Sequence, residues 1–224
     1  MRWLGACIRA QEIATAYACT RQAFGTLQKA GLKPGEVILA VCMTEPHAGT
    51  DVANYRTNAD IKGDKLVLNG VKTLISRVDE AQAFVVFSRV NKAPGRGGIG
   101  CVLIEKGTPG FSVSRALDKT GWRSSDTAEL RFDDCRVPAG HLLGEEGKGF
   151  YAVMKNFQTE RIALGAMAVG HCTQALKLAL DHVRTRQAFG GTLWDKQAVR
   201  QKIAMLDAKT RAARQYLYHC AWRV

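Results

Sequence analysis

A chain of 224 residues, 46% hydrophobic and 23% charged, can bury one large core or two modest ones, and its composition is typical of globular proteins. No apolar run approaches the roughly 20 residues of a membrane helix and no secretory signal is recognisable, so we expect an intracellular protein with no membrane partner. The seven cysteines are scattered without a Cys-x-x-Cys pair, which argues against disulfides and against zinc. We predict reduced core thiols and no metal site.

The formal net charge of +12 indicates a partner that carries negative charge. A basic surface suits nucleic acid, but it suits a small molecule with several phosphates equally well. Lysine and arginine are dispersed along the chain, without a long basic run and without a recognisable nucleic-acid module. The sequence therefore favours an anionic small molecule over nucleic acid.

The first part of the chain, residues 1–38, is the least informative part of the sequence. It contains TRQAFGTL from Thr20, which is nearly repeated as TRQAFGGTL between Thr185 and Leu193. A single short recurrence of this kind does not indicate a solenoid repeat. We infer little about the structure of this part.

Short β-prone runs separated by turn signals follow from about residue 40 to residue 145. One run carries Asn69-Gly70, which is a hairpin-type turn signal, and the stretch from Asn91 to Gly100 has the composition of a flexible loop between strands. The pattern predicts an antiparallel β domain.

The period changes after Gly147-Lys148-Gly149. Apolar and small residues recur at helical spacing from Phe150 to about Ala188, and a second helical segment runs from about Thr192 to the last residue. The chain stops at Val224 without a Gly, Asn or Pro signal for a helix end, so we expect it to stop inside an element.

The stretch MTEPHAGTD, Met43 to Asp51, is the first candidate for a binding loop. Thr44 and Thr50 offer hydroxyls, Gly49 allows a close backbone approach, and Pro46 stiffens the loop. The same composition also suits an ordinary polar turn.

Two β segments follow this loop. The first, GVKTLIS, spans Gly70 to Ser76, and its simplest interpretation is plain strand alternation. The second, GWRSSDTAELRFDDCRVP, ends at Pro138, which we expect to end a strand. Within it we expect Arg123 and Asp126 to pair across a hairpin, with Ser125 as a minor candidate for a cofactor contact.

The helical stretch Asn156 to Gly170 contains Glu160. Its neighbours at spacings of three and four carry no cation, so no helical ion pair is expected. Such a face would remove the carboxylate from water and raise its pKa, as suits a base that removes a weakly acidic proton. The alternative is a surface glutamate beside Arg161.

The last motif is RQAFG, Arg186 to Gly190, followed by Gln197. The planar fork of an arginine binds the paired oxygens of a pyrophosphate well. The structural alternative is a helix end, with Arg184 and Arg186 in the last turn and Gly190 as the C-terminal signal. Both interpretations can hold together.

In this order, from about Leu39 to the end, the motifs resemble those of acyl-CoA dehydrogenases. The helix around Glu160 resembles the isovaleryl-CoA and long-chain branches of that family. The resemblance implies FAD as cofactor, and it implies cofactor contacts by Val41, Cys42, Met43, Thr44, Thr50, Leu74, Ile75, Ser76, Arg186, Phe189 and Gln197. Leu74 and Ser76 stand where the family has tryptophan and threonine, so the hydroxyl is kept and the aromatic ring is lost.

The same resemblance implies the chemistry. Glu160 would remove the alpha proton of an acyl-CoA thioester while flavin accepts a hydride from the beta carbon. Substrate contacts would come from Thr50, Gln158 and Arg161. Because the family polarises the thioester carbonyl partly with a backbone donor from a later segment, we expect little activity from this chain alone.

The implied fold is α+β: an antiparallel β-barrel or sandwich-like domain over residues 39–147, then long helices of a truncated four-helix bundle over residues 148–224. Residues 1–38 would be a remnant of an N-terminal helical domain. The resemblance places Arg186 and Phe189 across a subunit interface, which implies a homo-oligomer, either a dimer or a tetramer. It implies electron-transfer flavoprotein as electron acceptor, in the bacterial cytoplasm or the mitochondrial matrix.

One segment departs from the family. Residues 14–37 stand where the family passes almost directly into the loop at Met43, and an insertion, a duplication or a defective gene model would each account for them. We assign no role to the second RQAFG, at Arg21. Three alternatives stay open: an acyl-CoA oxidase or flavin monooxygenase, a non-catalytic member that binds nucleic acid, and a degenerate fragment that does not fold.

Overall fold

The computed structural model describes residues 37–223, and every structural statement below refers to that part of the chain. The expectations for residues 1–36, including the second RQAFG and nearly all of the extra segment, lie outside the described residues. The chain divides into two compact units between Ala152 and Val153.

The first unit is built on one sheet. Its strands are β1 Leu39–Cys42, β2 Asn58–Lys62, β3 Lys65–Ser76, β4 Ala83–Arg89, β5 Ile99–Glu105, β6 Phe111–Ala116 and β7 Thr127–Pro138. The strand order is β1-β4-β2-β3-β7-β6, and β5 pairs with the other side of β4. With the helices that follow, this confirms the predicted α+β class.

The sheet is mixed rather than purely antiparallel, which corrects one detail of the prediction. Strand pairs β2–β3, β3–β7, β4–β5 and β6–β7 are antiparallel as expected. Strand β1 lies parallel to β4, with Leu39 opposite Ala83 and Cys42 opposite Val86. A parallel pair needs a long connection rather than a hairpin, and residues 43–82 supply it, so local turn signals did not reveal it.

Hydrophobic alternation explains the core. In β3 the side chains of Leu66 and Leu68 are fully buried, and in β4 nearly every residue is buried, as expected for a strand covered on both faces. Three rings pack together at this core: Phe111 lies 4.6 Å from Phe84 in a tilted pair and 5.4 Å from Phe132 in a stacked one, measured between ring centroids.

Asn69-Gly70 does not form a hairpin turn. It lies inside β3, where the register with β7 shifts between Leu68 and Gly70, so the pair forms a β-bulge. A side chain at Gly70 would come within 2.5 Å of the Thr57 hydroxyl oxygen, because the two backbones approach closely there. Glycine is therefore required at position 70 because a side chain would collide with Thr57, just before β2, and not because the chain reverses there.

Two long helices make up the second unit, although the first of them begins at Gly149, within the first unit. Helix α1, Gly149–Thr185, starts at the predicted Gly147-Lys148-Gly149 signal, and helix α2 is Gln197–Trp222. They run antiparallel, since Thr173 of α1 accepts a hydrogen bond from Arg214 of α2 while Gly165 lies against Leu217. Most side chains on both helices are exposed, including apolar ones such as Leu164, Met205 and Tyr216.

A short hairpin joins the two helices. It moves the end of α1 from the predicted Ala188 to Thr185 and the start of α2 from the predicted Thr192 to Gln197. Strands β8 Gln187–Ala188 and β9 Gly191–Thr192 pair across a two-residue turn. The helix ends at Thr185 because the chain reverses there, with the Leu193 amide donating to the Arg186 carbonyl at 3.0 Å. A reciprocal capping box between Thr192 and Asp195 then leads into α2.

Candidate functional site

The loop that starts at Met43 is a compact turn fixed to β3. Glu45 and Ala48 exchange backbone hydrogen bonds of 3.0 and 3.1 Å, and the Thr73 amide donates to the Thr44 carbonyl at 2.8 Å. Thr44 is half-buried, whereas Thr50 is exposed further along the loop. The loop therefore has a fixed backbone and presents one of its two candidate hydroxyls to solvent.

A buried ion pair lies beneath this loop. The ammonium of Lys72 donates to the Glu45 carboxylate and to the Met43 carbonyl, each at 2.8 Å, and both side chains are almost wholly inaccessible to solvent. The other side of Lys72 faces the Tyr55 ring, whose centroid is 3.7 Å from Nζ. Sequence reasoning missed this pair, although a lysine amid hydrophobic alternation in β3 and a glutamate in the loop were its two signals.

The Glu45 carboxylate has a full set of partners. It accepts the backbone amides of Arg56 at 2.8 Å and Thr57 at 3.1 Å, and His47 Nε2 lies 3.3 Å from it. The pair thereby joins three parts of the chain: the loop, the residues just before β2, and strand β3. Every oxygen of the carboxylate is engaged, as a buried charge requires.

The pKa values of the pair follow from burial and mutual attraction. Burial lowers the pKa of Lys72 to about 8, although the charge of Glu45 opposes this. Burial alone would raise the pKa of Glu45, but attraction to Lys72 and the hydrogen bonds from Lys72, Arg56 and Thr57 outweigh it and hold that pKa below its ordinary value. The pair is therefore ionised at neutral pH.

The end of β3 presents one apolar side chain and one hydroxyl to solvent. Leu74 is 61% exposed and has a left-handed backbone with φ of 59°, a conformation that costs a branched residue about 1 kcal/mol or more. Ser76 is exposed as well, while Ile75 is buried in the core. On β1, Val41 is 54% exposed and Cys42 is fully buried.

These positions divide the flavin candidates of the first unit into two groups. Val41, Thr50, Leu74 and Ser76 present side chains to solvent, and Met43 and Thr44 are half-buried. Cys42 and Ile75 point into the core, so a ligand would meet them only through their backbone. Alternation explains the division along β1. In β3 a register shift between Lys72 and Ile75 breaks the alternation, so that Ile75 is buried and Leu74 is exposed.

The segment before β7 is structural, but not in the way predicted. Arg123 pairs with Asp118 at 3.0 Å rather than with Asp126. The Asp126 carboxylate instead accepts the Asp79 amide at 2.9 Å and so ties two loops together. Strand β7 ends at Pro138 as expected, and the carbonyl of Ser125 accepts a hydrogen bond from Lys119.

In the second unit, Glu160 lies in the first third of α1 and is exposed, as are Gln158 and Arg161. The expectation that its helical neighbours would remove Glu160 from water is therefore wrong for the described residues. The guanidinium of Arg161 lies 5.6 Å from the Phe157 ring centroid. A helix packed along one side against α2 leaves the remaining faces open, and Glu160 is on one of these.

The hairpin after α1 presents the second cluster of candidates. Phe189 and Gly190 form its turn with φ values of 55° and 77°, and Phe189 is 88% exposed. Gly190 is thus a turn residue and not the helix C-terminal signal that the sequence indicated. Arg186 is exposed at the base of the hairpin, and Gln197 is exposed as the first residue of α2.

The two clusters of the second unit are far apart. Glu160 and the end of α1 at Thr185 lie on one continuous helix, and at about 1.5 Å per residue their separation is about 38 Å. Residues of the two clusters therefore do not lie within contact distance of one another.

The described thiols fall into two classes. Cys42, Cys101 and Cys135 are buried in the sheet, as predicted, and burial raises the pKa of Cys101 to about 12 and that of Cys135 to about 11. Cys172 is exposed and Cys220 is partly exposed on the helices, so these two are not core thiols. All five are free.

A groove of about 440 Å³ lies between α1 and α2. Its walls include Lys177, Arg184, Arg200 and Arg214, and none of the predicted site residues lines it. Neither long helix within residues 37–223 carries the apolar stretch that a membrane crossing requires.

A mixed sheet that carries an anchored polar loop, followed by two long antiparallel helices, defines an α+β protein with the architecture that the motifs implied. Comparison with protein families gives the class. Residues 40–135 match the acyl-CoA dehydrogenase middle domain, and residues 147–224 match the acyl-CoA dehydrogenase C-terminal domain. The chain belongs to the acyl-CoA dehydrogenase family.

Individual relatives agree with this assignment. The chain is 39% identical to the mitochondrial isovaleryl-CoA dehydrogenase of Pongo abelii over 84% of its own length and 45% of that protein. It is similar to the crystal structure of an acyl-CoA dehydrogenase from Geobacillus kaustophilus, with a TM-score of 0.80, 38% identity, and coverage of 84% of this chain and 51% of that one.

A third relative is a solved structure described as the electron transferring flavoprotein of Acidaminococcus fermentans. It matches with a TM-score of 0.82 and 38% identity over 92% of this chain and 54% of that chain. The chain thus spans about half the length of the relatives it matches.

Proposed function

We propose that the chain takes part in the FAD-dependent alpha,beta-dehydrogenation of an acyl-CoA thioester. The observation that carries the proposal is the surface made by the loop at Met43 and the end of β3, which the Thr73–Thr44 hydrogen bond joins. These segments and the adjoining end of β1 carry exposed apolar side chains, Val41 and Leu74, and exposed hydroxyls, Thr50 and Ser76. The proposed domain division, residues 39–147 and 148–224, goes with this function.

The residues present suit a flat, polar-edged ring system. Leu74 and Val41 offer apolar contact, and the hydroxyl of Ser76 offers a donor at the ring edge. The left-handed backbone of Leu74 turns that side chain to solvent instead of into the core. When bound there, FAD supplies the acceptor for the hydride that leaves the beta carbon.

Glu160 is the proposed base. Its carboxylate is exposed and accessible to a substrate, and it would accept the alpha proton. Because the described residues leave it open to solvent, we infer that the bound acyl group itself excludes water from this carboxylate. Gln158 and Arg161, in the same turns of α1, and Thr50 of the loop are the proposed substrate contacts.

Arg186, Phe189 and Gln197 are proposed to bind the dinucleotide of another copy. Their distance from Glu160 along α1 supports this arrangement, and it implies a homo-oligomer, either a dimer or a tetramer. We propose electron-transfer flavoprotein as the electron acceptor, in line with the description of one relative. The proposed compartment is the bacterial cytoplasm or the mitochondrial matrix, in line with one relative that is described as mitochondrial and another that comes from a bacterium.

The test measures the retention of flavin and then the abstraction of the proton. The purified chain supplied with FAD should retain it, and isovaleryl-CoA should bleach its absorbance under anaerobic conditions. Glu160→Gln should slow bleaching by at least about 100-fold, which is the lower range for losing a general base. Asp181→Asn, an exposed acid on the same helix, is the matched control and should not change the rate.

The role of Glu160 is decided by the bleaching rate of Glu160→Gln relative to that of the unmodified chain. A low absolute rate of the isolated chain therefore does not matter. Equal bleaching in Glu160→Gln and Asp181→Asn would exclude Glu160 as the base. A chain that retains no FAD and binds duplex DNA in a salt-sensitive way would contradict the proposed function and favour the non-catalytic alternative.

One observation favours a second candidate function. Leucine at position 74 gives less cover than an aromatic side chain, and it is largely exposed. Dioxygen would then reach a reduced flavin more easily, as an acyl-CoA oxidase requires. Oxygen consumption at the rate of substrate oxidation would identify the oxidase, whereas slow oxygen uptake beside fast reduction of an artificial electron acceptor would identify the dehydrogenase.

A further inference from the structure

The buried pair of Lys72 and Glu45 has no assigned role in the proposed chemistry. Neither side chain is accessible to a ligand, since both are about as buried as any residue of the core. A buried ion pair rarely adds net stability, because removing two charges from water costs about as much as their attraction returns. Its position must therefore be explained by something other than stability.

The contacts of the pair are directed at the proposed flavin surface. Lys72 binds the Met43 carbonyl, which belongs to the loop, and its neighbours in β3 lead directly to Leu74 and Ser76. Glu45 binds the amides of Arg56 and Thr57 and so closes the far end of the same loop. Both segments that form the surface are thus fixed to one pair of charges.

We propose that Lys72 and Glu45 are positioning residues that hold the loop at Met43 in register with the end of β3, and so preorganise the flavin surface. This inference rests on the proposed function for its consequence, flavin affinity, but not for its structural content. A loop that is already ordered does not have to be ordered by the ligand, and the ligand then binds more tightly.

The proposed positioning role depends on the charge of Lys72. The groups that face its ammonium are Glu45 and the ring of Tyr55, with Cys42 near enough to influence it and His47 acting through Glu45. Loss of the proton would remove the charge and one donor, and it would loosen both the loop and the carboxylate. With a pKa of about 8 for Lys72, this change falls between pH 7 and pH 9.

Stability and flavin affinity should respond differently to pH. The unfolded chain holds the Lys72 proton up to the ordinary lysine pKa, whereas the folded chain releases it near pH 8, so this group contributes rising stability above pH 8. A purely structural role predicts no loss of function in that window. A positioning role predicts weaker flavin binding in the same window, while the fold is retained.

The experiment compares the wild-type chain with Lys72→Met and with Lys65→Met, which removes an exposed lysine from the same strand. Hydrogen exchange without FAD should become at least about 10-fold faster at the amides of Arg56, Thr57 and Thr73 in Lys72→Met only. FAD should bind about 10-fold more weakly to Lys72→Met, and about 10-fold more weakly to the wild type at pH 9 than at pH 7. Lys65→Met should behave as the wild type.

Each outcome has a defined meaning. Unchanged exchange at these amides in a folded Lys72→Met, or unchanged FAD affinity beside faster exchange, overturns the proposal. If Lys72→Met does not fold, the wild-type pH series decides: FAD affinity that is flat from pH 7 to pH 9 overturns it. If no variant binds FAD, the proposed function fails, and the exchange result still decides whether the pair holds the loop.

Discussion

At the scale of single residues, this chain places charge where hydrophobic side chains are expected. Lys72 is among the largest fully buried side chains of the sheet, and Glu45 is 2% exposed. Replacing both with apolar residues can be nearly neutral, but removing one leaves the other as an uncompensated buried charge. This asymmetry makes the two residues sensitive to single substitution.

We expect Glu45→Gln to lower the free energy of opening of the sheet by about 3 kcal/mol, because Lys72 is then buried without its counterion and must either carry that cost or release its proton. Glu80→Gln is the matched control, since Glu80 pairs with Arg77 at 2.6 Å but both side chains are more than half exposed. An exposed pair of this kind contributes less than about 1 kcal/mol. Hydrogen exchange at the amides of β4 and β5 measures both, and equal effects would contradict the prediction.

At the scale of elements, the hairpin between α1 and α2 has to reverse the chain and, in the proposed function, also contacts the dinucleotide. Its two turn residues both have positive φ, which two-residue hairpins meet most readily with Asn-Gly. Phe189 occupies the first position although it is strained there and packs against little. A residue that costs stability and buries no surface is expected to have a ligand or a partner, in agreement with the proposed dinucleotide contact.

Phe189→Asn should therefore stabilise the hairpin by about 0.5 to 1 kcal/mol and weaken FAD binding. The local stability is measured by hydrogen exchange at the Leu193 amide, which donates to the Arg186 carbonyl. Gly190→Ala is the control of opposite sign, because alanine is strained at φ of 77° and should destabilise the hairpin by about 1 kcal/mol. If Phe189→Asn left FAD binding unchanged, Phe189 would not be a cofactor contact.

At the scale of the whole molecule, two observations support the proposal that the second unit functions within a homo-oligomer. The helices expose many large apolar side chains, and within the described part of this unit only Val153 and Val183 are buried. The proposed base and the proposed dinucleotide cluster are also separated by most of α1. A site completed by another copy accounts for the second observation directly.

Shared sites predict complementation between two inactive variants. Glu160→Gln and Arg186→Ala should each be impaired, but in a mixed dimer the intact Glu160 of one copy meets the intact Arg186 of the other. Equal mixing that yields random dimers should restore about a quarter of the wild-type sites. The measurement is acyl-CoA-dependent flavin bleaching after the two chains are refolded together.

The control refolds each variant alone, at the same total concentration, and should show no recovery. Glu160→Gln mixed with the double variant Glu160→Gln/Arg186→Ala should also stay inactive, because neither chain supplies the base. Absence of recovery in mixed oligomers of proven composition would place both residues in sites of the same chain and would contradict the shared arrangement.

Much of the fold could be predicted from local pattern. The β-prone runs became strands, the change of period at Gly147-Lys148-Gly149 marked the start of α1, and Pro138 ended β7. The candidates were less predictable, because motif letters do not tell which way a side chain points. Cys42 and Ile75 belong to the same motifs as Val41 and Leu74, yet they face the core.

The sequence by itself determined the class of the protein, α+β with a sheet before long helices, and the chemical groups available to a site, since both depend on periodicity and residue type. Only the tertiary structure decided that Lys72 and Glu45 meet beneath the loop, that Asn69-Gly70 is a bulge, and that Glu160 is exposed. These outcomes depend on contacts between residues far apart in the chain. Local patterns cannot encode such contacts, because the same short sequence meets different neighbours in different folds.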